Sequence, residues 1–180
     1  MSKGLLQKPW IRVVSTILVL GIMVALFIFS GQGQEQSEGL SFPIGDAALE
    51  TGVFESSVFD GVKEQYAEEG APFWLFVQRL VRKMAHVVIF MALGGSLLIC
   101  LESWLGERKL LWLWSFIGGT LYAASDEWHQ SMVPGRSGSI EDVLIDAAGV
   151  AAGVLVTMLV LKLIKKHAAK RRGDSSLRSE

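Results

Sequence analysis

Apolar residues are gathered in four blocks along the chain, roughly 10–29, 84–101, 110–124 and 143–164, and polar residues between them. A soluble helical bundle would show a polar face at every turn of 3.6 residues, and these blocks largely lack one. The first, second and fourth approach the ~20 residues that a bilayer crossing needs. The third is shorter, but Trp112, Trp114 and Tyr122 would extend or anchor it at the interfaces. The pattern predicts an all-α integral membrane protein, a four-helix bundle. It forms one domain over residues 1–172, followed by a disordered tail over 173–180.

Between the first two blocks the pattern changes. Phe54, Val58, Val62 and Tyr66 recur four apart among acidic residues, which predicts an amphipathic helix over 46–69 lying on the outer face or at the interface. Pro72 suits the first turn of the next helix. That helix opens on Phe73, Trp74 and Phe76 and runs on to Glu102, about 45 Å at 1.5 Å per residue. Because this exceeds the hydrocarbon core, its first turns, with Arg79, Arg82 and Lys83, belong in the headgroup zone unless the helix tilts or kinks.

Charge orients the chain. The formal net charge of −1 hides a strong asymmetry. The N-terminus carries Lys3, Lys8 and Arg12, Arg108 and Lys109 lie between the second and third blocks, and Lys162, Lys165, Lys166, Lys170, Arg171, Arg172 and Arg178 close the chain. With four crossings all three groups share one side, which the positive-inside rule makes cytoplasmic: N-in, C-in. The other side receives residues 30–78, an acidic segment with nine Asp or Glu and only Lys63 as a base. The basic end sits against anionic lipid, so a nucleic-acid partner is not expected. Cys100 is the one cysteine, which excludes an internal disulfide and a cysteine-based metal site. Residues 1–30 have the basic start and apolar stretch of a signal peptide. The stretch exceeds a typical h-region, favouring an uncleaved signal anchor; cleavage would leave the other spans oriented as before.

Candidate chemistry clusters at the outer end. Arg79, Arg82, Lys83 and His86 share a face of the second span, and His86 lies within the apolar block. Gly119, Tyr122, Asp126, His129 and Gln130 share a face of the third, with Glu127 and Trp128 pointing elsewhere. Asp142, Asp146, Gly149 and Gly153 share a face of the fourth, whose small residues would let a neighbouring helix approach. The connector "VPGRSGS" carries Arg136 near the tip of a short hairpin. Ser139 with Asp142 forms a capping-box pattern, whereas Asp146 lies ~10 Å further along the axis, too deep to cap. Glu127 and Glu141 read as solvated, Gln130 and Tyr122 as hydrogen-bonding core residues.

Three readings of this cluster stand. Arg79, Arg82, Lys83 and Arg136 balance Asp126, Glu127, Asp142 and Asp146, as in an ion-pair network that pins the helices. His86, His129, Asp126, Asp142 and Asp146 offer ligands for a divalent metal that activates water, although no compact zinc motif is present. The arginines and the N-terminus of the fourth helix suit a phosphate or carboxylate.

The runs "FSGQ" after the first span, "VRKMAH" entering the second and "SDEWHQSMVPGRSGSIEDVLIDAAGVAAG" from the third into the fourth resemble the VanZ-like family over residues 10–162. Ser30-Gly31-Gln32 stands where that family often has two serines before its first Gln. The resemblance implies a multi-pass protein of the bacterial inner or plasma membrane, in a family named for a member linked to low-level resistance to the glycopeptide teicoplanin. It singles out Arg82, Lys83, His86, Asp126, Glu127, His129, Gln130, Arg136, Asp142 and Asp146. The leading expectation is recognition of the charged headgroup of a membrane lipid or lipid-linked envelope precursor. The alternatives are a hydrolase of such a headgroup, metal-dependent or acid/base, with His86, Asp126, His129 and Asp146 as catalytic candidates, and a structural or partner-binding membrane protein.

Overall fold

The computed structural model describes residues 6–32, 43–134 and 138–177, with backbone alone from residue 172. Among the described residues the regular structure is entirely helical: α1 (Pro9–Ser30), α2 (43–50), α3 (Asp60–Glu68), α4 (Trp74–Leu105), α5 (Leu111–Gln130) and α6 (Ile140–Leu177). Three of them, α1, α4 and α6, are long and apolar enough to cross a membrane. The third block forms a helix of 20 residues, α5, which is not among those three. Its apolar run is interrupted by Ser115, Gly118, Gly119 and Thr120 and ends in Asp126 and Glu127.

Pairs of contacting residues fix how the long helices run. Arg12 Nε donates to the Ser103 carbonyl at 3.0 Å and Trp104 Nε1 to Thr16 Oγ1 at 3.1 Å, so the start of α1 lies against the end of α4. The Tyr122 hydroxyl donates to the Met23 carbonyl at 2.5 Å and the Ser30 hydroxyl to Asp126 at 2.7 Å, so α1 and α5 ascend together. Lys83 meets Asp142 while Gly95 lies against Thr157, so α4 and α6 also run parallel. Ser30, the start of α4, the end of α5 and the start of α6 therefore share one end of the molecule. At the other end Lys165 reaches Glu107 at 3.0 Å.

The α4–α6 seam is the most extensive contact, and small residues on both helices make it close. A Cβ added at Gly149 would stand 2.7 Å from the Val87 carbonyl oxygen; one at Gly153 would collide with the Met91 carbonyl, and one at Gly94 with that of Val150. Backbone thus packs on backbone, the arrangement that small residues at fixed spacing permit. Phe90, Leu93, Leu98, Ala123, Val150 and Val154 form the core beside this seam. Outward, α1 and α6 present Ile17, Leu20, Ile28, Leu155, Leu159 and Leu163, all exposed. A surface this apolar suits hydrocarbon and not water.

The segment before α4 departs from expectation. Residues 46–69 do not form one helix: α2 ends before Gly52, whose φ of +70° belongs to the left-handed region, and two 3-10 turns, Val53–Glu55 and Ser57–Phe59, precede α3. A helix cannot continue through that glycine conformation. Phe54 and Tyr66 of the expected stripe still pack inward, on Phe73 and Phe76 beside the start of α4, with Phe59 added. Val58 is exposed. α4 itself spans 32 residues, close to the expected extent. The expected tail, 173–180, is helical backbone as far as Leu177, where α6 ends, and its last three residues lie outside the described ones.

Replacing Gly153 by Leu is expected to destabilise the protein by more than about 2 kcal/mol through overpacking, since the Met91 main chain cannot step aside. Gly118→Ala, where nothing lies within 4 Å, is expected to be neutral or to stabilise by about 0.5–1 kcal/mol. Thermal unfolding of the detergent-solubilised variants checks both.

Candidate functional site

Four helix ends deliver polar side chains to the same level. Tyr122 and Phe90 contact each other across α5 and α4, with ring centroids 6.3 Å apart. One turn nearer the polar end stand Asp126 on α5 and His86 on α4, which run in opposite directions. The His86 ring lies 6.3 Å from Phe90, and its Nδ1 lies 3.9 Å from Asp146 Oδ2 of α6. The glycine seam sets this register: with Gly149 against Val87, Asp146 falls beside His86 and Asp142 beside Lys83. The expectation that small residues bring Asp146 against a neighbouring helix is met, and that neighbour is α4.

Three of the carboxylates are buried: Asp126 and Asp146 are each 3% exposed and Glu127 is 6% exposed. Asp146 is within electrostatic reach of Asp126, Glu127, Asp142 and Lys83. Asp126 accepts through Oδ2 from the Ser30 hydroxyl at 2.7 Å and from Gln130 Nε2 at 3.0 Å. Its Oδ1 is buried and has no hydrogen-bond partner among the described residues. His129 stacks on Phe27 of α1, centroids 4.3 Å apart and planes 17° from parallel, so it faces α1 and not the His86–Asp146 pair.

Glu127 corrects the sequence reading, which left it solvated. Its Oε1 accepts from Gln130 Nε2 at 3.1 Å and its Oε2 from the Ser139 backbone N–H at 3.1 Å. Ser139 is the N-cap of α6, and its hydroxyl accepts from the Glu141 N–H at 3.1 Å. In a capping box the side chain three residues on would satisfy the N-cap N–H. Here Glu127 of the preceding helix does so, and Asp142 is released to Lys83. The carboxylate of Glu127 and those of Glu141 and Asp142 also lie at the positive end of α6. The turn from α5 to α6 is thereby closed by a side chain that helical spacing had assigned elsewhere; Glu141 is exposed as expected.

The basic stripe of α4 divides. Lys83 and His86 face α6, whereas Arg79 is exposed, donates to the Tyr66 hydroxyl at 3.3 Å and lies over that ring. Arg79 therefore ties α4 to α3 and does not join the carboxylates, because the folded-back α3 offers it a nearer partner. Arg82 is half-buried and makes interactions in this structure. Arg136 lies outside the described residues. Gln130 and Tyr122 act as the hydrogen-bonding residues they were expected to be. Sequence reasoning gave no role to Ser30, whose only signal was its place in the "FSGQ" run, or to Gln78, which is buried with an unpartnered Oε1. Among the described residues no three His, Cys, Asp or Glu side chains gather as a metal site would require.

The molecule is thus a set of long helices with a lipid-compatible exterior and one end rich in buried carboxylates. Its sequence matches the VanZ/LLP1 family model over residues 15–162, and the chain belongs to that family. No curated protein and no solved structure matches it.

Glu127→Ala strips a partner from the Ser139 N–H and from Gln130 and is expected to cost about 1–3 kcal/mol. By contrast, Lys83 and Asp142 are partly exposed, so a double-mutant cycle with alanine at both is expected to give a coupling below about 1 kcal/mol that shrinks with added salt. Chemical or thermal unfolding in detergent at two ionic strengths measures both quantities.

Proposed function

We propose that α1, α4, α5 and α6 cross the bacterial cytoplasmic membrane as a four-helix bundle, N-in and C-in, and that their polar end recognises the charged headgroup of a membrane lipid or lipid-linked envelope precursor in the extracytoplasmic leaflet. The observation that carries this is the burial of Asp126, Glu127 and Asp146 at one end of an apolar assembly. Ionisable groups in such a setting are costly and mark functional sites by default. The orientation is supported by Lys165 at the opposite end and by the many Lys and Arg that follow it. The acidic segment, Lys63 its only base, connects α1 to α4 at the polar end, as an extracytoplasmic loop would.

The headgroup reading is favoured over hydrolysis. The His86–Asp146 pair has the residue types for acid/base work, but His129 is turned to Phe27 and no third ligand joins the pair among the described residues. A contribution to glycopeptide resistance rests on the family's named member. It would follow here from binding of an envelope precursor.

Native mass spectrometry of the detergent-extracted protein, with metal analysis of the same sample, tests the reading. Wild-type protein is expected to carry phospholipid or precursor, with His86→Ala and Asp146→Ala remaining folded but retaining less. If both variants unfold and the wild type carries nothing, the cluster is an ion-pair lock. Stoichiometric metal lost on Asp126→Ala and His129→Ala would favour the hydrolase instead.

A further inference from the structure

The carboxylate of Asp126 is used on one side only. Both of its described donors, the Ser30 hydroxyl and the Gln130 amide, are neutral, and both fall on Oδ2. Oδ1 is buried without a partner among the described residues, and Asp126 as a whole is 3% exposed. An orphaned buried acceptor calls for an explanation, and an absent donor is one. The missing donor has a definable chemistry. Asp126 belongs to a group of three buried carboxylates, with Glu127 and Asp146, which favours a cation over a neutral hydroxyl. A second acid would be repelled.

Resting on the headgroup reading above, the geometry points to a primary ammonium as the ligand group: Asp126 Oδ1 accepts an N–H of the protonated amine of an aminophospholipid headgroup. An ammonium carries N–H donors as well as charge, whereas a trimethylammonium carries the charge alone. Gln130 bridges Asp126 and Glu127 one turn further out. Ser30 is a positioning residue: its hydroxyl holds Oδ2 and so keeps Oδ1 turned to the ligand.

The test is competition among defined lipids. Delipidated full-length protein is loaded with equimolar dioleoyl phosphatidylethanolamine, phosphatidylcholine and phosphatidylglycerol, and bound lipid is counted by native mass spectrometry. Phosphatidylethanolamine is expected to exceed phosphatidylcholine by about tenfold or more, the difference one charge-assisted hydrogen bond makes. Asp126→Asn, which removes the charge, is expected to bring the two towards parity; Ser30→Ala is expected to reduce the preference in part. The comparison within the wild type stands even where a variant does not fold. Equal retention of phosphatidylethanolamine and phosphatidylcholine, or preference for phosphatidylglycerol, would overturn the ammonium assignment while leaving headgroup recognition intact. A preference untouched in folded Asp126→Asn would overturn the role of Asp126. Displacement of the lipid by free phosphoethanolamine would show a soluble amine to be the ligand and overturn the lipid source. Retention of no lipid would overturn both readings.

Discussion

The close seam between α4 and α6 is the constraint on which the polar end depends. Gly149 and Gly153 lie against the Val87 and Met91 carbonyls, and Gly94 against that of Val150. In lipid no hydrophobic gain drives two apolar helices together, so close van der Waals contact must hold them. Backbone-to-backbone contact tolerates little sliding. It therefore fixes the register that sets Asp146 beside His86 and Asp142 beside Lys83. Any loosening of the seam would separate these pairs before it disturbed the helices themselves.

The third and fourth long helices are then joined by polar contacts rather than by shape alone. Glu127 holds the N–H of Ser139, the N-cap of α6, and Gln130 links Glu127 to Asp126, which is held in turn by Ser30 of α1. The result is a connected network running from α1 through α5 to the start of α6. Where solvation is weak, a network with satisfied members is rigid and an unsatisfied one is costly. The network here is satisfied at each described link except Asp126 Oδ1, and that exception gives the site its most specific chemical demand.

Much of this could be read in the chain before any coordinates. Each apolar block falls on one long helix, because burial in hydrocarbon needs composition and length, not a partner, but α5 and α6 run on past their blocks to Gln130 and Leu177. His86 and Asp146 stood out because ionisable groups inside apolar runs demand an explanation. Glu127 was misread because helical spacing places a side chain on a face but does not say what lies opposite that face. Its partner is the Ser139 N–H, brought there by the turn between α5 and α6. Arg79 was misplaced for the same reason: it shares a stripe with Lys83, but α3 folds back to offer Tyr66. The break at Gly52 was also missed, since the apolar repeat from Phe54 to Tyr66 begins only after that glycine and does not support a helix reaching back to residue 46.

By itself, the sequence determined the all-helical character, the long apolar segments, the concentration of charge at one end and membership of the VanZ/LLP1 family, all properties of local pattern or motif order. Only the tertiary structure decided which charges meet: Lys83 with Asp142, His86 with Asp146, Glu127 with the start of α6, and His129 with Phe27 instead of the carboxylates. Those choices turn on inter-helix register and on where the connecting segments fold back. Both are set by contacts between residues far apart in the chain, to which periodicity along one helix is blind.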